Sequence, residues 1–381
     1  MTKVFGTILS VSSGLPVGPE GPLVHVGACI SSFFTHQHSF TLKLFGKRIF
    51  SFKSHQTGLD FFHNDHDRRD FLSCGAAAGL AAAFGAPIGG VLFSLEEAST
   101  FWSQTTTWHT LVCTSLATFT LTLLHGGKVL SSPGLIKFDQ VKHGFNWWEL
   151  FLFAILAAFM GLLGAIFNGG FKRLAPYRPK SKQGKLIEVT TLVLICNCIW
   201  AIPYFYPHMF GASTCMPRPA SADYDDIKVD ALITYCKEDE FNDWAMLSYG
   251  PRETVIKLLL KQSAKHEGAI DTHFEPGCQL YLGIVYFIAL LAASDCAVPA
   301  GFFMPGILIG ACWGGASSYV FQEFINLFPT PRSADGSPHP ILLNAGLYAL
   351  VGATAMLAGL FRSAISLVVI MLEGTGNIQY L

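Results

Sequence analysis

Residues 18–34 read GPEGPLVHVGACISSFF. Proline is tolerated in the first turn of a helix, where its missing N–H would have no acceptor anyway, so Pro22 predicts a helix over 21–34 that begins just after Glu20. The N-terminus of such a helix offers unpaired N–H groups and a partial positive charge. An anion is stabilised there, and a carboxylate can take the same place. Glu20, flanked by Gly18 and Gly21, is therefore placed to compete with an anion, and its protonation would release the site. The plainer alternative is a helix-capping glutamate on a surface.

The rest of the chain bears on that choice. Of 381 residues, 51% are hydrophobic and 13% charged, and the mean hydropathy is +0.42. Soluble proteins carry about 25% charged residues. Phe (32) and Gly (37) are frequent, as expected where membrane helices pack closely. Apolar runs occupy 3–17, 21–34, 70–84, 87–103, 107–124, 147–171, 186–206, 277–295, 301–328, 341–359 and 362–373. Several fall short of the roughly 20 residues that a perpendicular span needs, and many end in Gly or Pro. The pattern predicts an all-α polytopic membrane protein of tilted, broken and half-spanning helices buried in protein. The run AAAGLAAA over 76–83 is a small-residue face for close helix packing. A net charge of -1 argues against a nucleic-acid partner.

In lipid, carboxylates and helix breaks mark function. Two more such interruptions stand out. Glu96 and Glu97 follow Gly90-Val91-Leu92-Phe93-Ser94-Leu95 in an apolar run that starts at Pro87. Burial there would favour the protonated form and suit proton transfer. Adjacent helical residues point about 100° apart, so the two acids should differ in role. The alternative is a pair of carboxylates at the membrane edge. Gly301-Phe302-Phe303-Met304-Pro305 opens a third apolar helix. Gly301 permits an unusual backbone, Pro305 starts the helix, and the amides of Phe302 and Phe303 would point at an anion. Backbone donors bind weakly, which suits a site that must release its ion. The alternative is a loop-to-helix turn with aromatic packing.

Three polar loops remain. Loop 35–69 and loop 170–185 are rich in Lys and Arg and are expected to be cytosolic. Loop 208–275, with twelve acids and seven bases, lies one crossing away and is expected to be luminal. Of the ten Cys, Cys215, Cys236 and Cys278 lie in or beside it, and two of them could pair in an oxidising lumen. Cys196 and Cys198 share one apolar stretch and read as packing. His36/His38 and His63/His66 read as solvated rather than as metal ligands, and no metal is expected.

Together these segments resemble the CLC family of chloride channels and anion–proton exchangers. GPEGPLVHVG is similar to the family's gating-glutamate motif, with Pro19 in place of a basic residue. Asp67-Arg68-Arg69-Asp70-Phe71 and the run SCGAAAGLAAAFGAPIGGVLFSLEEASTFW over 73–102 resemble the intracellular branch, which includes lysosomal and plant vacuolar members. AGFFMPG over 300–306 is similar to the anion-site motif. The resemblance implies an inverted-repeat core spanning 1–381 as a partial transmembrane domain, and a homodimer with one pore per subunit. By position, Glu20 would be the gating glutamate and Glu97 the proton glutamate of exchangers; passive channels usually lack an acid there. Gly18, Gly21, Gly301, Phe302, Phe303 and Pro305 would frame the anion. Ser12-Ser13-Gly14-Leu15-Pro16 looks like the family's central anion motif but sits too near Glu20, so Ser13 is not assigned. The resemblance leaves both ends of the family pattern outside this chain, including the nucleotide-binding CBS domains.

The expected activity is exchange of chloride, or another small anion such as nitrate, for protons across a lysosomal, vacuolar or other endomembrane. No cofactor is implied; the partners are chloride, protons, lipid, a second copy and an accessory subunit. The rivals are a passive voltage-gated channel and a non-transporting subunit. An enzyme using the paired acids is disfavoured, since no nucleophile or metal set accompanies them.

Overall fold

The computed structural model describes residues 2–35, 39–44, 47–53, 64–124, 146–205, 215–217, 236–237, 240–262, 274–327 and 343–375. Helix α1 spans Thr2–Ser12, α2 Glu20–Thr35, α3 Asp65–Phe84, α4 Pro87–Phe93 and α5 Gln104–Leu124. Then follow α6 Glu149–Leu174, α7 Lys182–Phe205, α8 Asp243–Tyr249, α9 Arg252–Leu260, α10 Pro276–Ala293, α11 Phe303–Asn326, α12 Ala345–Phe361 and α13 Ile365–Thr375. The chain divides into two units, Glu20–Ile136 and Met1–Pro19 with Lys137–Leu381.

In the Glu20–Ile136 unit, helix α5 is built inside out. Its buried face is Thr106, Thr110, Thr114 and Thr118, while Trp108, Val112, Leu116, Phe119 and Leu123 are exposed. A helix in water reverses that order. Each buried hydroxyl finds a partner: Thr110 bonds the Thr106 carbonyl (2.6 Å) and Thr106 bonds Asp70 Oδ2 (2.7 Å). Threonines four apart lie on one helix face, and hydroxyls bonded back to the preceding turn are satisfied without water. The exposed apolar face suits lipid.

Helix α3 starts earlier than the apolar run 70–84 because Asn64 caps it, accepting from the His66 amide (3.2 Å). It stops at Gly85, which is left-handed and donates to the Ala81 carbonyl. Helices α2 and α3 touch backbone to backbone. A Cβ on Gly27 would stand 2.2 Å from the Gly75 carbonyl oxygen, and one on Gly79 2.5 Å from that of Leu23. The small-residue face thus packs as expected.

Among its described residues the second unit has three helical stretches long and apolar enough to cross a bilayer, Glu149–Tyr177, Lys182–Ile202 and Pro276–Ala293. Helices α11 and α12 cross on glycines, since a Cβ on Gly314 would meet the Tyr348 oxygen at 2.2 Å and one on Gly310 that of Gly352 at 2.4 Å. Small residues let the backbones approach where no hydrophobic driving force separates helix from lipid.

Two short ribbons depart from the all-helical pattern. β1 (Ser39–Leu44) pairs antiparallel with β2 (Lys47–Lys53), Ser39 opposite Lys53. The alternation in SFTLKL and KRIFSFK carries that signal, but within a polar, basic loop it is easily read as unstructured. The second ribbon, β3 (Cys215–Pro217) with β4 (Glu240–Asn242), lies in the acidic loop. There Cys215 is bonded to Cys236, which settles the three-way choice, and Cys278 is free and buried.

Candidate functional site

The segment that joins α10 to α11 is held at several points within its own unit. At its start, Asp295 is left-handed (φ 61°), an uncommon state for a residue with a side chain. Arg178 ties the root of this segment: its guanidinium donates to the Ala292 (2.6 Å) and Ser294 carbonyls and pairs with Glu188 of α7. Midway, Ser10 Oγ of α1 donates to the Pro299 carbonyl (2.8 Å). At the end, Gly18 and Gly301 exchange two backbone hydrogen bonds of 2.9 and 2.8 Å.

The Gly18 and Gly301 amides are bonded to each other, and these glycines fasten two loops. The helix that follows is α11. Phe302 sits at its N-cap position and Phe303 begins it. Its first-turn N–H groups have no acceptor within the helix, and Pro305 falls in that first turn, where its lack of an N–H does no harm. Rings fix the two phenylalanines. Phe303 stacks on Phe361 at 4.3 Å, and Phe302 meets Phe167 edge-on at 6.2 Å.

The loop before Glu20 is shaped from α7. Gly14 is left-handed (φ 80°), and a Cβ there would meet Asn197 Oδ1 at 2.9 Å. Asn197 Nδ2 donates to the Ser13 carbonyl (2.9 Å) and Trp200 Nε1 to that of Gly14 (3.0 Å). Ser13 turns its own hydroxyl back to the Ser10 carbonyl. Asn197, Trp200 and Arg178 were not singled out from the sequence. An Asn and a Trp three apart in an apolar run, and one Arg among many in a basic loop, were the available signals.

In the Glu20–Ile136 unit, Glu20 is itself the first residue of α2 and is fully buried (0% exposed). Gly21 follows it on an exposed position and Pro22 is buried. Glu96 and Glu97 lie on a loosened turn. Helix α4 loosens after Phe93 into a π-helical turn, Ser94–Ala98, which ends in extended backbone at Ser99. Glu97 is exposed and Glu96 half-buried. π turns are rare, favour functional places, and carry no signature in hydropathy. Hydroxyls pin this turn to α3, with Ser94 bonding the Ser73 carbonyl (3.1 Å) and Ser99 the Ser73 hydroxyl (2.7 Å).

Among the described residues no group of three or more His, Cys, Asp or Glu could hold a metal. His36, His38 and His63 lie outside the described residues, as do 36–38, 45–46 and 54–63 of the expected loop 35–69 and most of the loop 208–275.

The chain as a whole has known counterparts. A family model described as voltage gated chloride channel matches residues 1–381. The chain belongs to the CLC family. It is thus an integral membrane protein from a family of channels and transporters, not of enzymes. This CLC chain is 35% identical to H(+)/Cl(-) exchange transporter 7 of Homo sapiens, over 99% of its own length and 44% of that protein's. Chloride channel protein A of Dictyostelium discoideum is 32% identical over 100% of this chain and 44% of the relative. Chloride channel protein CLC-b of Arabidopsis thaliana is 29% identical over 100% and 46%. The chain spans less than half the length of these curated relatives. The crystal structure of a eukaryotic CLC transporter matches with a TM-score of 0.62 at 24% identity, over 99% of this chain and 50% of that one. A slow cyanobacterial Cl-/H+ antiporter matches at 0.63 and 18% identity, over 99% and 67%. These two likenesses are of the CLC fold.

Proposed function

We propose that this CLC chain carries a chloride pathway coupled to protons, as in an exchanger of an intracellular membrane. The observation that carries the reading is Glu20, a fully buried carboxylate at the first residue of α2. A charged group is expensive in a membrane interior unless it is used, and a helix start is where a carboxylate and an anion can replace one another. Glu20 then gates by leaving the site when protonated. Phe302 and Phe303, at the head of α11, supply backbone donors to the anion, with Gly21 and Pro305 completing the two helix starts. Gly18 and Gly301 fasten their two loops to each other. Glu97 acts as the proton glutamate. The human relative is an H(+)/Cl(-) exchange transporter by name, which supports the coupling.

On this reading the basic segments 35–69 and 170–185 face the cytosol and 208–275 faces the lumen. The bond between Cys215 and Cys236 supports an oxidising side for the latter. A homodimer and an accessory subunit belong to the same proposal, as does an endomembrane such as the lysosome or vacuole.

A passive channel is the second reading. Exposure of Glu97 favours it, because burial was the physical argument for a proton relay there. Reversal potentials of the reconstituted protein under two opposite pH gradients decide between them. A potential that moves with the proton gradient supports exchange; one that follows chloride alone supports the channel.

A further inference from the structure

Besides its local bonds and the Gly18–Gly301 junction, the loop that leads to Glu20 is held by α7, and α7 in turn meets the segment α8–α9. Arg252, the first residue of α9, donates to the last turn of α8 through the Leu247 and Ser248 carbonyls, both at 2.9 Å. Its guanidinium lies 5.1 Å from the Trp200 ring and 5.2 Å from the Tyr286 ring. Those rings pack against each other at 5.2 Å, and each is 3% exposed. A cation over desolvated aromatic faces is a strong anchor. The far edge of the same indole donates to Gly14, beside the bond from Asn197 to Ser13. Gly14 is left-handed, and the donors from Trp200 and Asn197 fasten the backbone on that turn.

We infer that Trp200, with Asn197 and Arg252, forms a positioning relay that sets the loop 13–19 and so the ease with which Glu20 leaves the anion site. This rests on Glu20 acting as the gate. The relay gives α8–α9 purchase on the rate of exchange without either helix touching the ion. Rotating or lifting α9 would move the guanidinium, tilt the indole and loosen the Gly14 carbonyl. None of the three side chains meets chloride or a proton in this account.

The test is a pair of backgrounds, Glu20 and Glu20→Ala, in the full chain reconstituted into liposomes, with chloride and proton fluxes read together. Trp200→Phe keeps an aromatic face for Arg252 and loses the N–H donor to Gly14. Asn197→Leu keeps the shape of Asn and loses the donor to Ser13. Loss of one hydrogen bond corresponds to about a fivefold change, expected in the rate of exchange with Glu20 present. With Glu20→Ala the same substitutions should leave chloride flux unchanged, because no gate remains to be set. Arg252→Gln should follow the same pattern. An equal change in both backgrounds would mean a general effect on folding or pore shape and overturns the relay. No change in either background overturns it as well. If Glu20→Ala by itself still moves protons with chloride, the gate reading falls and the relay with it, and that result is read on a different variant.

Discussion

A single carboxylate carries most of the functional argument. Glu20 is enclosed at the start of α2, where a charge at bilayer depth costs about 3 kcal/mol or more. Glu20→Ala should abolish proton movement down to the leak of protein-free liposomes while chloride flux persists and loses its dependence on pH. Simultaneous ion-electrode recording checks this; proton-coupled flux in the variant would remove Glu20 from the mechanism. Glu97→Gln should also stop protons and spare chloride, since an amide bonds but cannot ionise, whereas Glu96→Gln should retain coupling. Wild-type stoichiometry in Glu97→Gln would remove Glu97 from the proton path. Glu20 was legible in the sequence because GPEGP joins a carboxylate to a helix-starting proline. The state of Glu97 was not, because an apolar run looks the same whether its helix continues or relaxes into a wider turn. Trp200 and Asn197 were invisible for another reason: their work is done on carbonyls of residues 13 and 14, far away in sequence.

At the scale of elements, packing depends on helix faces more than on hydropathy. The apolar runs placed the helices well, and the small-residue face of α3 announced its close partner. The threonine stripe of α5 was legible in principle, as Thr106, Thr110, Thr114 and Thr118 recur every four residues, but it runs against the usual rule that polar faces are outside. Two substitutions separate crowding from propensity. Gly314→Ala forces a methyl to 2.2 Å from the Tyr348 carbonyl oxygen, so the α11–α12 crossing must open, at a cost of about 1–3 kcal/mol. Gly169→Ala in α6 meets nothing within 4 Å, and the gain in helix preference is about 0.5–1 kcal/mol. Thermal denaturation of the detergent-solubilised protein should therefore lower the midpoint for the first and hold or raise it for the second. Equal midpoints would show that the two helices do not approach on Gly314.

Across the whole molecule, sidedness is the property with most reach. Cysteine accessibility should place residues introduced in 208–275 on the luminal face and those in 170–185 on the cytosolic face; labelling of 208–275 from the cytosol alone would invert the orientation. Cys215→Ser releases a loop whose ends are 21 residues apart, worth about 3 kcal/mol of chain entropy. That variant should become sensitive to luminal protease while α6 to α13 stay intact, and unchanged sensitivity would mean the bond closes nothing of consequence. Composition made the membrane class plain, but no spacing told which two of three cysteines would pair, since that depends on a ribbon of three-residue strands. The junction of Gly18 with Gly301 has a further implication for how such a protein can be damaged. Both partners in both bonds are main chain, so replacing side chains leaves them in place and an alanine scan passes over the junction in silence. A proline at position 301, or an ester in place of that amide, deletes one donor and nothing else of the side-chain chemistry. Inherited variation that breaks the fastening is thereby confined to a few backbone-altering changes, and a map of harmful substitutions would understate how much rests on it.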